Sequence, residues 1–205
     1  MKHSKDNELR FGDLGPNCDH ICVDMQKLFA HQTDWNTPWM HKVMPQVVSI
    51  ARAHPAETIF TRFITLAKPD EGRGVWKRYY ERWRSMTTEK LPVEMLDLVP
   101  PLAEFVPPAE IFDKTVYSPW LGTELEERLR ARGTDTVIIT GGETDVCVLG
   151  TVLGAVDRGY RTVIVSDALC SSSDETHDAL MTLYRNRYGQ QVETVDTELL
   201  LEAWT

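Results

Sequence analysis

Short apolar runs and longer amphipathic stretches alternate along the chain. Ile21-Cys22-Val23, residues 58–65 (TIFTRFIT), a run opening at Ile111-Phe112, Val137-Ile138-Ile139, Val163-Ile164-Val165 and residues 191–195 have the length and composition of strands, several of them buried on both faces. Between them lie helical patterns. Residues 38–54 place Trp39, Val43, Val47, Ile50 and Ala51 on one face, with Pro45 marking off the first turn as a separate segment. Residues 121–132 turn Leu125 and Leu129 inward and stop at Gly133, and residues 197–204 form a terminal helix. Strands alternating with helices predict an α/β fold: a three-layer, doubly wound, mainly parallel sheet of about six strands with helices on both faces.

Residues 136–173 are the most legible part. The run TVIIT ends in Gly141-Gly142, a helix follows with Thr144 or Asp145 as its cap and Cys147 in its first turn, and Gly159 stops it before the next strand. Leu149, Val152, Leu153 and Val156 predict its apolar stripe. Ser172 with Glu175 predicts a capping box for a helix over 173–188, where His177, Leu180, Met181 and Tyr184 share helical spacing.

Two regions depart from this rhythm. Residues 1–17 are polar and broken by Gly12, Gly15 and Pro16, which predicts an N-terminal arm ahead of a single domain over 18–205. Residues 69–92 mix Arg73, Lys77, Arg78, Arg82 and Arg84 with Trp76, Tyr79, Tyr80 and Trp83. Such interleaving can bind single-stranded nucleic acid. The formal net charge of -9 argues against that, so the segment reads as an amphipathic insert, either a pocket lid or a subunit contact. Residues 91–108 are proline-rich and predict irregular chain or a short helix.

Composition is that of an ordinary globular protein, with 42% hydrophobic and 26% charged residues. No apolar run has the length of a membrane span, and the polar start is unlike a secretion signal, so a cytoplasmic protein without a membrane or nucleic-acid partner is expected. The four cysteines, Cys18, Cys22, Cys147 and Cys170, then read as reduced thiols.

Three ionisable residues fall at the carboxyl ends of three predicted strands: Asp24, Lys114 and Cys147. In a parallel sheet these ends share one edge, where active sites of open α/β folds are built. A thiolate favoured by a helix start and an ammonium is a nucleophile, and a carboxylate can carry its proton. N–H groups of the turn before Cys147 could hold an oxyanion. Each residue alone has a structural explanation: a loop carboxylate, a solvated lysine, a small packing thiol. Cys18 and Cys170 are rival thiols; Cys170 follows a strand near the same edge, but no glycine turn or helix start stands at it. His177, at core spacing in a capped helix, reads as structural and not as the base of a Cys–His pair.

The segments ICVDMQKLF, FDKTVYSPW and TGGETDVCVLGT together resemble the isochorismatase-like cysteine hydrolases, the superfamily of nicotinamidase, N-carbamoylsarcosine amidase, ureidoacrylate amidohydrolase and biuret hydrolase. The resemblance spans residues 18–195. It implies an Asp24–Lys114–Cys147 triad, a cis peptide at Gly142–Glu143, an oxyanion hole from the Glu143 and Cys147 N–H groups, and a homo-oligomer, dimer or tetramer. It also implies hydrolysis of a C–N bond in a small amide or ureido compound through a thioester, without a cofactor. Metal-binding nicotinamidases carry an Asp-x-His and further histidines after the second strand, whereas this chain has no histidine between His54 and His177, so no metal site is expected. Vinyl ether cleavage of the isochorismatase type, which needs no thiol, is the alternative, and a non-catalytic binding protein that keeps the fold is a third. Phe29, Trp76, Tyr79, Tyr117 and Trp120 are expected as pocket walls, with Arg62, Arg73 or Arg78 to hold a substrate carboxylate.

Overall fold

The computed structural model describes residues 7–205. One six-stranded parallel sheet runs in the order β3-β2-β1-β4-β5-β6, built from β1 (Cys18–Val23), β2 (Thr58–Phe63), β3 (Glu110–Lys114), β4 (Thr136–Gly142), β5 (Arg161–Cys170) and β6 (Val192–Val195). The helices are α1 (Lys27–Ala30), α2 (Met40–Ala53), α3 (Val75–Arg82), α4 (Pro100–Ala103), α5 (Leu125–Arg132), α6 (Cys147–Asp157), α7 (Asp174–Asn186) and α8 (Thr197–Ala203).

Side-chain alternation splits the interior into two cores. Cys18 and Cys22 of β1, Ile138 of β4, and Val163 and Val165 of β5 pack with α2 and α8. Ile21, Val23, Val137, Ile139 and Ile164, one position out of step, pack with α5, α6 and α7 on the other face. The three-layer, doubly wound architecture is therefore present. The chain fills one half of the sheet from β1 to β3, then returns to place β4 on the far side of β1. The crevice at that reversal, outside the carboxyl ends of the strands, is where such folds bind ligands.

Several local expectations change. Pro45 lies inside a continuous α2 and does not detach its first turn. Helix α5 starts at Leu125, four residues later than the pattern suggested, but Gly133 ends it in a left-handed conformation. Strand β5 is longer than its apolar run and includes Cys170, whose thiol touches the Gly141 carbonyl at 3.8 Å. Helix α7 is capped one residue later than expected: Ser173 accepts the Thr176 N–H, and Ser172 with Glu175 forms no capping box. The proline-rich segment holds a short 3-10 turn, α4, and two cis prolyl bonds at Val106–Pro107 and Pro107–Pro108.

Of the N-terminal arm, residues 1–6 lie outside the described residues. The remainder is tied to the β5–β6 edge: Arg161 donates to the carbonyls of Gly12 and Asp13, and Phe11 N–H donates to Glu193. Among the described residues no helix is long and apolar enough to cross a membrane.

Candidate active site

Asp24 follows the last residue of β1 and is the only non-glycine residue among those described with positive φ, 51°. Its backbone N–H is shared between the Thr61 carbonyl and hydroxyl, both at 3.2 Å, and the Thr61 hydroxyl donates to Asp24 Oδ1 at 2.6 Å. Gln26 fixes the chain beyond it, donating to the Phe63 and Leu96 carbonyls at 3.2 and 2.7 Å and accepting the Phe63 N–H at 2.7 Å. The DMQ segment is thus stapled to the end of β2 by side-chain bonds that replace the ladder where it runs out.

Lys114 ends β3, two strands away. Its ammonium lies 4.9 Å from the centre of the Phe63 ring and donates to Asp24 Oδ2 at 2.7 Å and to the Val116 carbonyl at 3.3 Å. Both side chains are essentially sealed from solvent. Two charges so buried are tolerable only because each neutralises the other.

Cys147 starts α6, and its thiol lies close enough to Asp24 and Lys114 for both to act on its proton affinity. Burial and the Asp24 carboxylate push this thiol well above its ordinary range, with Lys114 pulling the other way. The expectation of a thiol acidified by the helix start is corrected here. A helix terminus contributes about 0.3–1 kcal/mol at a typical site, less than the loss of hydration at a sealed sulfur. Burial works to lower the Lys114 ammonium, but Asp24 and then Cys147 outweigh it, so its affinity for the proton is raised. The resting arrangement favours a protonated thiol beside an ion pair.

The expected cap of α6 is also absent. Val146 occupies that position and makes no side-chain cap. The Thr144 hydroxyl is spent on the Cys170 carbonyl and His177 Nδ1, and Asp145 accepts from Ser171 and Thr176, each at 2.6 Å. Instead the Glu143 carbonyl accepts the N–H groups of Val146 at 3.0 Å and Val148 at 3.1 Å, on either side of Cys147. The Gly142–Glu143 peptide is cis. Gly141 has φ 100°, and a Cβ there would lie 2.2 Å from the Val23 carbonyl oxygen, so only glycine lets β4 pass this close to β1. The buried stripe of α6 is Cys147, Val148, Thr151, Val152 and Ala155, while Leu149, Leu153 and Val156 of the predicted stripe are half-exposed.

Above Cys147 opens a cavity of about 300 Å³. Of the expected walls, Phe29, Tyr79 and Tyr117 line it. Trp76 stands behind them, with ring centres 5.3 Å from Tyr79 and 5.0 Å from Tyr117. Trp120 lies under α6, its indole N–H on the Thr151 carbonyl at 2.9 Å. Arg62 is held at the sheet edge by Asp113 at 2.7 Å, and Arg73 and Arg78 are exposed outside the lining. The sequence reading missed Trp35, Phe63 and Trp83, together with Asp34, Asn36, Val146 and Ser172. Phe63 carried a usable signal, since it ends a strand on the same edge as Asp24. A tryptophan within the polar run HQTDWNT was the other. In the insert, Tyr79 and Trp83 face the cavity while the arginines and Lys77 are exposed, which is the amphipathic arrangement. His177 is buried with Trp39 5.6 Å away, and burial lowers its affinity for a proton. Among the described residues no three His, Cys, Asp or Glu side chains are grouped so as to hold a metal ion.

Comparison with known proteins places these features in a family. The isochorismatase domain model matches residues 20–197. The isochorismatase family protein YwoC of Bacillus subtilis is 34% identical over 98 residues, 45% of this chain and 52% of that protein. Maleamate amidohydrolase of Pseudomonas putida is 27% identical over 123 residues, 60% of this chain and 56% of that protein. The aligned stretch thus spans about half the length of these curated relatives. A cysteine hydrolase structure from Pseudomonas syringae pv. phaseolicola superposes with a TM-score of 0.80, covering 100% of this chain and 98% of that one at 22% identity, a likeness of fold.

Proposed function

Because the chain belongs to the isochorismatase family, a family of hydrolases, we propose that it cleaves a C–N bond of a small amide or ureido compound through a Cys147 thioester. The observation that carries this reading is a buried thiol set at the same sheet edge as a sealed carboxylate–ammonium pair, close enough for both to act on its proton. Vinyl ether cleavage has no use for that thiol.

As the substrate carbonyl approaches, Asp24 takes the Cys147 proton while Sγ forms a bond to the carbonyl carbon and the C=O π pair moves to oxygen. The N–H groups of Glu143 and Cys147 receive that oxyanion, those of Val146 and Val148 being bound to the Glu143 carbonyl. Lys114 offsets the charge that passes between Asp24 and the sulfur. The proton on Asp24 then goes to the leaving nitrogen, the C–N bond breaks, and ammonia or an amine departs. Water attacks the thioester, giving its proton to Asp24, the C–S bond breaks, and the acid leaves as the thiol recovers its proton.

Cys147→Ala is expected to abolish ammonia release across a panel of nicotinamide, biuret, ureidoacrylate, N-carbamoyl amino acids and maleamate, and to abolish the acyl adduct seen by intact-protein mass spectrometry. Wild-type rates in that variant would exclude the thioester route.

A further inference from the structure

The thiol, carboxylate and ammonium account for the floor of the cavity but not for its walls. Resting on the amidase reading above, the walls bear on which amide enters. Six aromatic side chains surround the space: Phe29, Trp35, Phe63, Tyr79, Trp83 and Tyr117. Trp35 sits at their centre, with ring centres 6.2 Å from Phe29, 5.9 Å from Phe63, 5.6 Å from Tyr79 and 6.4 Å from Trp83. The lining also holds two carboxylates, Asp34 and Glu143, and no lysine, arginine or histidine. Asp34 accepts from the Ser85 hydroxyl, and Glu143 accepts the Ser172 N–H at 2.9 Å. Among the described residues neither forms an ion pair. The nearest buried cation, Lys114, is matched by Asp24 at 2.7 Å. Arg82, whose guanidinium lies 5.0 Å from the Trp83 ring centre, is exposed outside the lining.

Aromatic faces carry negative charge density and attract a cation that has left water, and this is how quaternary ammonium groups are recognised. Two carboxylates in the same lining add to that attraction and repel an anion. Burial raises the Tyr79 and Tyr117 phenols above their ordinary value, so both stay protonated. We propose that the cavity selects small amides whose non-reacting end is positively charged, a quaternary ammonium or similar cation, and excludes amides bearing a carboxylate. The expected arginine clamp for a substrate carboxylate is thereby replaced by its electrostatic opposite.

Binding and turnover test this separately. Titration of the full chain with tetramethylammonium, tert-butanol and pivalate, three compact probes differing in charge, is followed by tryptophan fluorescence and calorimetry. Tetramethylammonium is expected to saturate, tert-butanol to bind about tenfold more weakly, and pivalate not to bind. Asp34→Asn and Glu143→Gln are each expected to weaken tetramethylammonium and leave tert-butanol unchanged. Equal binding of the three probes, preference for pivalate, or no saturable binding of tetramethylammonium overturns the proposal. For turnover, betaine amide is expected to exceed 3,3-dimethylbutanamide in kcat/KM by about tenfold, with malonamate inert. Hydrolysis of the neutral amide with no advantage for the cation removes the charge preference and leaves the amidase reading intact. Tetramethylammonium binding as described, with no amide hydrolysed and Cys147 never acylated, supports the cage and removes the amidase reading.

Discussion

Strand β1 leads into two buried polar clusters, and they follow opposite rules. Midway along it, His20 is sealed between two threonines, Nδ1 at 3.2 Å from the Thr58 hydroxyl and Nε2 at 2.7 Å from that of Thr140. Burial, with a smaller push from His54, lowers its pKa to about 3, so the ring is neutral and its two nitrogens are matched by hydroxyls that can donate or accept. Just past the strand, Asp24 is equally sealed, but its partners are the Thr61 hydroxyl and the Lys114 ammonium, with the Cys147 thiol near enough to feel its charge. A buried neutral group needs only complementary hydrogen bonds. A buried charge needs a counter-charge, and a proton shared among three ionisable groups can move. The first cluster is built to be inert; the second is held together by the same forces that, in the proposed mechanism, move its proton.

The sharpest way to break this comparison is to strip the second cluster of its counter-charge. Lys114→Met leaves an ionised Asp24 buried without a partner, with an expected loss of about 3–5 kcal/mol in urea unfolding together with loss of turnover. Adding Asp24→Asn, which keeps a residue tolerant of positive φ, is expected to recover most of the stability and none of the activity. A Lys114→Met protein as stable as wild type would mean that the pair is not the structural necessity argued here.

Applied to the first cluster, the same operation should give a smaller and different response. His20→Leu leaves the Thr58 hydroxyl its bond to the His54 carbonyl at 2.7 Å but takes the ring from Thr140, and is expected to cost about 1–3 kcal/mol with turnover unchanged. The pH dependence carries the distinctive sign. The unfolded chain binds a proton at this histidine below its ordinary value of 6.5, whereas the folded one resists until about 3. Stability present above pH 6.5 is therefore lost as pH falls through that window. His54 and His177 are lowered in the same sense, so the measured quantity is the difference between wild type and variant. The variant's urea midpoint should decline less steeply between pH 6.5 and 4.

The two clusters were unequally legible in the sequence. Asp24 and Lys114 stand where an apolar run stops, and Cys147 where a glycine turn opens a helix, so local pattern marks them and the parallel topology brings them together. His20 leaves no such mark, because β1 begins at Cys18, three residues ahead of the apolar run, and His20 lies in that polar-looking stretch. What makes it a core residue is a pair of threonines on β2 and β4, which no local pattern reports. The same limit governs the cavity. Trp76 and Tyr79 share one short helix and one composition, yet Tyr79 lines the cavity and Trp76 backs it, a matter of helix phase against Trp35 and Phe63. The cap of α6 escapes local pattern for a related reason: Thr144 and Asp145 have the chemistry of caps, but α7 and the loop before it claim their side chains.

The gentlest perturbation probes how the second cluster divides its proton. The Asp24 carboxylate raises the Cys147 thiol and Lys114 lowers it. Asp24→Asn removes the first influence and leaves the ammonium facing the sulfur alone, so the thiol should become more acidic. Iodoacetamide at pH 8 is then expected to modify Cys147 a few-fold faster than in wild type, read by peptide mass spectrometry. The other thiols are separated from this readout by burial, which pushes Cys18 to about 11, Cys22 to about 12 and Cys170 higher still. Turnover should move the other way, falling by about 10²–10⁴ because nothing remains to carry the proton to the leaving nitrogen. Faster alkylation with slower catalysis separates the two effects of one carboxylate, its field and its basicity. Slower alkylation in the variant would place the thiol's proton on Asp24 already at rest, and the second cluster would then hold a preformed thiolate in place of the neutral thiol that burial favours.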